Sequence, residues 1–144
     1  MSIFTKAFNR LGGYDSLAAR FPGGPEPQGQ HWERRCVQFG ASLRYDWCVT
    51  IVVAAEGLWL QARPPAQGTQ AAILVPWAEV REAKPTRLYW REAVRLACGD
   101  PAAGTITVWR PVWDVAGPLW QGARDARSQA PPVPQAPSAP PPAG

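Results

Sequence analysis

Three segments decide the fold: Cys48-Val49-Thr50-Ile51, Glu56-Gly57-Leu58-Trp59-Leu60 and Ile73-Leu74-Val75-Pro76-Trp77-Ala78-Glu79-Val80. The first belongs to a longer run in which Leu43, Tyr45, Trp47, Val49, Ile51 and Val53 alternate with Arg44, Asp46, Cys48, Thr50 and Val52. A period of two in β-branched and aromatic residues predicts a strand with one face in the core. Ala54 to Gly57 supplies a turn, with Gly57 providing its backbone geometry. Leu58 to Gln61 then returns as the partner strand, with Leu58 and Leu60 pointing inward. Ala72 to Val75 is a short apolar strand that Pro76 ends, because proline has no N–H for the ladder. Trp77 to Arg81 is either a turn of helix or an extended corner.

The same period extends in both directions. Upstream, Trp32, Arg34, Cys36 and Gln38 face one way and Glu33, Arg35, Val37 and Phe39 the other, up to a turn or bulge at Gly40. Downstream, Arg87 to Trp90, Ala93 to Ala97 and Thr105 to Trp109 read as strands, the last two separated by the turn from Gly99 to Gly104. Residues 111–127 place Trp113, Ala116, Trp120 and Ala123 on one helical face. Pro118 interrupts this pattern and would cost about 3 kcal/mol inside a helix. The helix is therefore expected to begin near Gly117-Pro118, with Pro118 at its first position.

Two short helices are expected near the N-terminus. Ile3, Phe4, Ala7, Phe8 and Leu11 recur at helical spacing opposite Lys6 and Arg10, between a Ser2 cap and a Gly12-Gly13 stop. Tyr14, Leu17, Ala18 and Phe21 form the second stripe, capped by Asp15 and ended by Pro22. Gly23 to Gly29 is a loop by composition. At the other end, residues 129–144 hold seven prolines and no charge. Such a segment buries too little apolar area to offset its chain entropy and predicts a disordered tail. Pro131, Pro134, Pro137 and Pro140 give it PxxP spacing, which suits a polyproline ligand. The expected layout is an N-terminal helical extension and loop (1–30), a β domain with a C-terminal helix (31–127) and the proline-rich tail (128–144).

The segments between Cys48 and Val80 resemble those of bacterial pleckstrin-homology-like and GRAM-type domains. There a strand and a turn lead into Gly-Leu-x-Leu, and a later apolar strand runs into Ile-Pro-Trp-x-x-Ile. Small bacterial proteins of this layout also begin with a segment similar to Tyr14–Pro22, so the resemblance spans roughly residues 13–125. It implies a mainly β (α+β) fold: a strongly bent antiparallel sheet or barrel of about seven strands, with a helix closing one end. In that frame Leu58 and Leu60 fill one barrel face, Pro76 ends an edge strand and Trp77 plugs the corner. The resemblance also implies binding of phosphoinositides, peptides or proteins. The Lys-x-Arg phosphate clamp of lipid-binding members has no counterpart around Arg34, Arg35 or Arg44.

Function is less legible. His31 stands outside any nucleophile setting, the carboxylates are scattered, and no phosphate loop, HExxH or GxSxG occurs, so no enzyme and no cofactor is expected. Cys36, Cys48 and Cys98 are odd in number and unpaired in spacing. They predict reduced thiols rather than a metal site or a disulfide framework. A net charge of +4, with 15 basic and 11 acidic side chains, permits anionic partners without demanding one. No apolar run is long enough to span a bilayer, and the start lacks a signal-peptide pattern, so a cytoplasmic location is expected.

Three roles are compatible with these features. The first is a non-catalytic module binding a protein partner through the basic-aromatic patch Arg87, Tyr89, Trp90, Arg91 and Arg95. The second is a peripheral protein at the inner face of an anionic membrane, held by the basic residues and by Ile3, Phe4, Phe8 and Leu11 dipping into the headgroups. The third and weakest is nucleic-acid binding through the same patch.

Overall fold

The computed structural model describes residues 13–41 and 43–129. Their order is α1 (Tyr14–Arg20), β1 (Gly29–Phe39), β2 (Leu43–Ala54), β3 (Gly57–Ala62), β4 (Ile73–Pro76), a 3-10 turn (Trp77–Glu79), β5 (Val80–Leu88), β6 (Arg91–Cys98), β7 (Gly104–Trp109) and α2 (Arg110–Gln129). The helix expected over residues 2–11 and the proline-rich tail lie outside the described residues.

All seven strands join one antiparallel sheet in the order β4-β3-β2-β1-β7-β6-β5. Two meanders, β1–β4 and β5–β7, meet at β1 and β7 through Gln38↔Thr107 and Phe39↔Ile106. The sheet curls over a core of Val37, Phe39, Val49, Ile51, Leu58, Leu60, Ile73, Val75, Leu96, Ile106 and Val108. Tyr14 and Leu17 of α1 and Phe21 just beyond it join this core, so residues 14–21 are part of the same hydrophobic unit. Tyr14, Phe39 and Tyr45 pack edge to face with ring centroids 4.9 to 5.7 Å apart, the geometry aromatic quadrupoles favour.

The edges of a curled sheet must be blunted or covered. Edge strand β5 carries Arg81, Glu82, Lys84 and Arg87 and tolerates Pro85 because its outer side needs no ladder partner. At the corner between the meanders, Trp77 is buried and donates its indole N–H to the Ala54 carbonyl at 2.9 Å. Trp120 of α2 donates to the Val80 carbonyl at 2.7 Å, which fastens the helix over the same corner.

Several local expectations are corrected. Strict alternation fails in β1 and β2. Between the pairs Trp32↔Ile51 and Arg35↔Val49, β1 advances three residues to two on β2; between Arg35↔Val49 and Val37↔Tyr45, β2 advances four to two on β1. Arg34 and Trp47 sit at these bulges with φ of 55° and 59°. A bulge inserts residues without partners and resets the facing of the residues beyond it. Trp32 therefore packs on the main core, while Cys36 lies in a separate small cluster with Leu88, Ala93 and Trp109. Trp47, expected on the face of Tyr45 and Val49, is turned out to solvent.

The expected Arg87–Trp90 strand stops at Leu88. Tyr89 and Trp90 are the two central residues of the β5–β6 hairpin, flanked by the pair Leu88↔Arg91. Helix α2 starts at Arg110 rather than at Pro118, with Pro118 inside it. Pro118 lies on the exposed side, as do Asp114, Val115 and Leu119, so the Asp114 carbonyl left without its N–H faces water. Val112, Ala116 and Trp120 meanwhile stay buried, and Pro111 is the proline of the first turn. Asp15 is not the cap of α1: Gly13 holds that position without a side-chain bond.

Gly57 is required for a different reason than turn geometry. It lies in β3 opposite Pro76, and an added Cβ would run into the Val75 carbonyl. Replacing Gly57 by Ala should therefore lower stability by about 1–3 kcal/mol, seen as a lower urea midpoint at unchanged slope. An unchanged midpoint would show that β3 and β4 can separate freely.

Candidate functional site

The site lies where the β1–β2 bulge meets the β5–β6 turn. Tyr89 and Trp90 have φ of 53° and 65°. Two consecutive positive φ values in a two-residue hairpin define a type I′ turn. That turn ordinarily takes Asn-Gly, because a side chain at φ > 0 crowds the neighbouring carbonyl. Bulky residues held there cost about 1–3 kcal/mol each and cluster at functional positions. Arg87 braces the turn, its guanidinium donating to the Trp90 carbonyl at 3.3 Å.

The turn projects Trp90 almost wholly into solvent, at 88% exposure, and Trp47 stands beside it at 57%. Asp46, Trp47, Tyr89, Trp90, Arg91 and Trp109 line one cleft of about 330 Å³. Trp47 and Trp109 are tilted against each other with centroids 5.5 Å apart. Trp109 is anchored from behind by its indole N–H to the Leu88 carbonyl at 2.8 Å. Trp47 and Trp90 donate to no group among the described residues, so their indole N–H groups remain free for a ligand.

The charged groups of the cleft and the Tyr89 hydroxyl are mutually engaged. Tyr89 donates its hydroxyl to Asp46 Oδ1 at 2.6 Å, and this bond to the carboxylate holds the phenol above its ordinary pKa. The Arg44 guanidinium covers the Tyr89 ring at 4.8 Å, and that of Arg91 covers Trp109 at 4.6 Å. Exposed cation–π contacts of this kind contribute about 0.5–1 kcal/mol each. The result is an aromatic ledge whose arginines lie along ring faces.

Of the residues singled out in the sequence, the structure brings Tyr89, Trp90 and Arg91 into the cleft and places Arg87 behind the turn. Arg95 lies four residues further along β6, about 13 Å from Arg91 along the strand, opposite Lys84 and Thr107. Ile3, Phe4, Phe8 and Leu11 lie outside the described residues. Asp46, Trp47, Trp109 and Arg44 were not singled out. Their only sequence signal was the aromatic density of the two strands, and the bulge that turns Trp47 outward leaves no mark in a period-two pattern.

A hollow of about 450 Å³ between β5, β6 and α2 has its charges paired by Arg110 with Glu92 at 3.9 Å and with Asp114 at 3.0 Å. His31 is exposed and faces Glu33 at 3.8 Å. Among the described residues no three His, Cys, Asp or Glu side chains gather as a metal site, and no helix is long and apolar enough to cross a membrane. Burial raises the thiol pKa of Cys36 and Cys48 and pushes that of Cys98 up to about 12.

Comparison with protein-family models, with curated proteins and with solved structures finds no match to this chain.

Two measurements check this geometry. Replacing Trp90 by Gly should relieve the left-handed strain and raise stability by about 1 kcal/mol, read as a higher melting temperature; an equal or lower value would show that the turn is not strained. Burial pushes the Cys98 thiol up to about 12 and keeps it protonated at pH 8. Iodoacetamide should therefore leave Cys98 unmodified in the native protein and alkylate it in urea, and native labelling of Cys98 would contradict its burial.

Proposed function

We propose that this protein is a non-catalytic interaction module of the pleckstrin-homology-like type, with the Trp47–Trp90 cleft as its contact surface. The observation that carries the reading is Trp90, a large apolar side chain held in solvent on a backbone conformation that disfavours it. Strain maintained at an exposed position without a packing return points to use by a partner. Trp, Tyr and Arg are the residue types enriched at binding hot spots, and the cleft holds all three.

The seven-stranded curled sheet with a C-terminal helix supports the pleckstrin-like likeness drawn from residues 48–80, and a fold of that kind hosts many ligands. The non-catalytic reading rests on the scatter of the carboxylates and the setting of the single histidine on an exposed strand beside Glu33. A protein surface suits the cleft better than an anionic one, because Arg44 and Arg91 are laid over rings rather than turned outward.

A photocrosslinking residue in place of Trp90 should give discrete adducts in cells, and Trp47→Ala in the same chain should remove them. The same crosslinker at Glu56, in the turn at the far end of β2, serves as the control. Adducts that are equal at both positions, or insensitive to Trp47, would rule out the cleft as the contact surface.

A further inference from the structure

We infer that the cleft is occupied, in the absence of a partner, by the proline-rich tail of the same chain, with Pro140–Pro142 seated on Trp47, Trp90 and Trp109. This rests on the cleft being a binding surface, as argued above, and adds the chemical class it takes: an uncharged polyproline II segment.

The first support is chemical fit. A polyproline II helix has three residues per turn and no internal hydrogen bonds, so its carbonyls stay available as acceptors. Domains that take such segments do so with aromatic-lined grooves, the rings stacking on prolines and polar groups binding carbonyls. The cleft has exposed indole rings and two indole N–H groups without a partner among the described residues. Pro131, Pro134, Pro137 and Pro140 recur every third residue, which puts all four on one edge of a three-fold helix.

The second support is charge. No side chain from Ser128 to Gly144 is charged, so the tail offers a guanidinium no side-chain ion pair and offers the rings seven prolines to stack on. The cleft matches this: Arg44 and Arg91 cover Tyr89 and Trp109, Arg87 is bonded to the Trp90 carbonyl, and Asp46 is held by Tyr89. An anionic ligand would have to pull these cations off their partners.

The third support is reach. Helix α2 leaves the cleft at Trp109-Arg110 and runs back along β5, since Trp120 bonds to Val80 and Arg127 to the Ala78 carbonyl. Its twenty residues carry the chain about 30 Å from the cleft. The remaining fifteen residues span about 47 Å in the polyproline II form, at about 3.1 Å each. Residues 130–139 cover the return distance at about 31 Å, and Pro140–Pro142 then arrive at Trp90. Tethering on so short a connection gives an effective concentration in the millimolar range, so even weak stacking keeps the cleft filled.

The test uses the full chain and its indole N–H signals in two-dimensional NMR, assigned by single Trp→Phe changes. The comparison chain carries Pro137→Ser, Pro140→Ser, Pro141→Ser and Pro142→Ser. Docking predicts that the Trp47, Trp90 and Trp109 signals move between the two chains, at any protein concentration and equally at low and high salt. Trp59, Trp77 and Trp120 should stay in place, which shows the fold unaffected. A synthetic peptide of residues 129–144, added to the serine variant, should return the three signals saturably toward their full-chain positions.

Identical signals in the two chains, no saturable response to the peptide, or a difference that grows with protein concentration would each overturn the inference. So would a Trp90-dependent pelleting of both chains with anionic phospholipid vesicles in place of the peptide response. Crosslinking at Trp90 to another protein together with a silent tail would sink only this inference. Failure of both would sink the module reading as well.

Discussion

The register of β1 against β2 is the constraint on which the rest of the molecule depends. Two bulges, at Arg34 and Trp47, put unequal lengths of the two strands opposite one another. A ladder with unequal sides has to bend, and bulged strands also gain right-handed twist. That bend lets β1 turn from its long pairing with β2 to a short pairing with β7, which joins the two meanders into one sheet. The same bulge turns Trp47 away from the core. Curvature and candidate site are thus two consequences of one irregularity.

A bent sheet still leaves a corner between β4 and β5, and tryptophan holds it. Each buried indole here carries a single N–H that costs about 1–3 kcal/mol if left without an acceptor in the interior. Trp59, Trp77, Trp109 and Trp120 all give it to a backbone carbonyl distant in sequence: Gly24, Ala54, Leu88 and Val80. Each side chain therefore fills volume and fixes a distance at once. The last of these bonds explains how α2 accommodates Pro118. The helix is held by Val112, Ala116 and Trp120 on one side, and the defect falls on the other, where water can solvate the freed carbonyl.

The cleft has the opposite character. Its rings are exposed, its turn is strained, and its charges are satisfied locally. Tyr89 and Trp90 occupy backbone positions that Asn and Gly would fill with less strain, so the stability forgone there is supplied by the core. Because Arg44 and Arg91 lie on aromatic faces, the surface is basic in composition but presents mainly π-faces and indole donors. A ligand that stacks is therefore matched better than one that pairs with charge.

Composition and periodicity in the sequence determined the β class, the approximate strand count, the positions of most core residues and the existence of a C-terminal helix. These rest on which residues prefer burial and on the repeat of two or 3.6 that local geometry imposes. The end of a strand at Pro76 was legible for the same reason, whereas the residues left Trp77–Arg81 open between a helical turn and an extended corner, and only the resemblance put Trp77 in the corner. Only the tertiary structure decided which face Trp32 and Trp47 take, that Tyr89-Trp90 is a turn, and that α2 begins at Arg110. A bulge depends on how two strands match along their whole length. A type I′ turn built from aromatics runs against local preference. A helix proline is tolerated only if its unpaired carbonyl faces water. Each is settled by packing between segments far apart in the chain, and no local pattern records it.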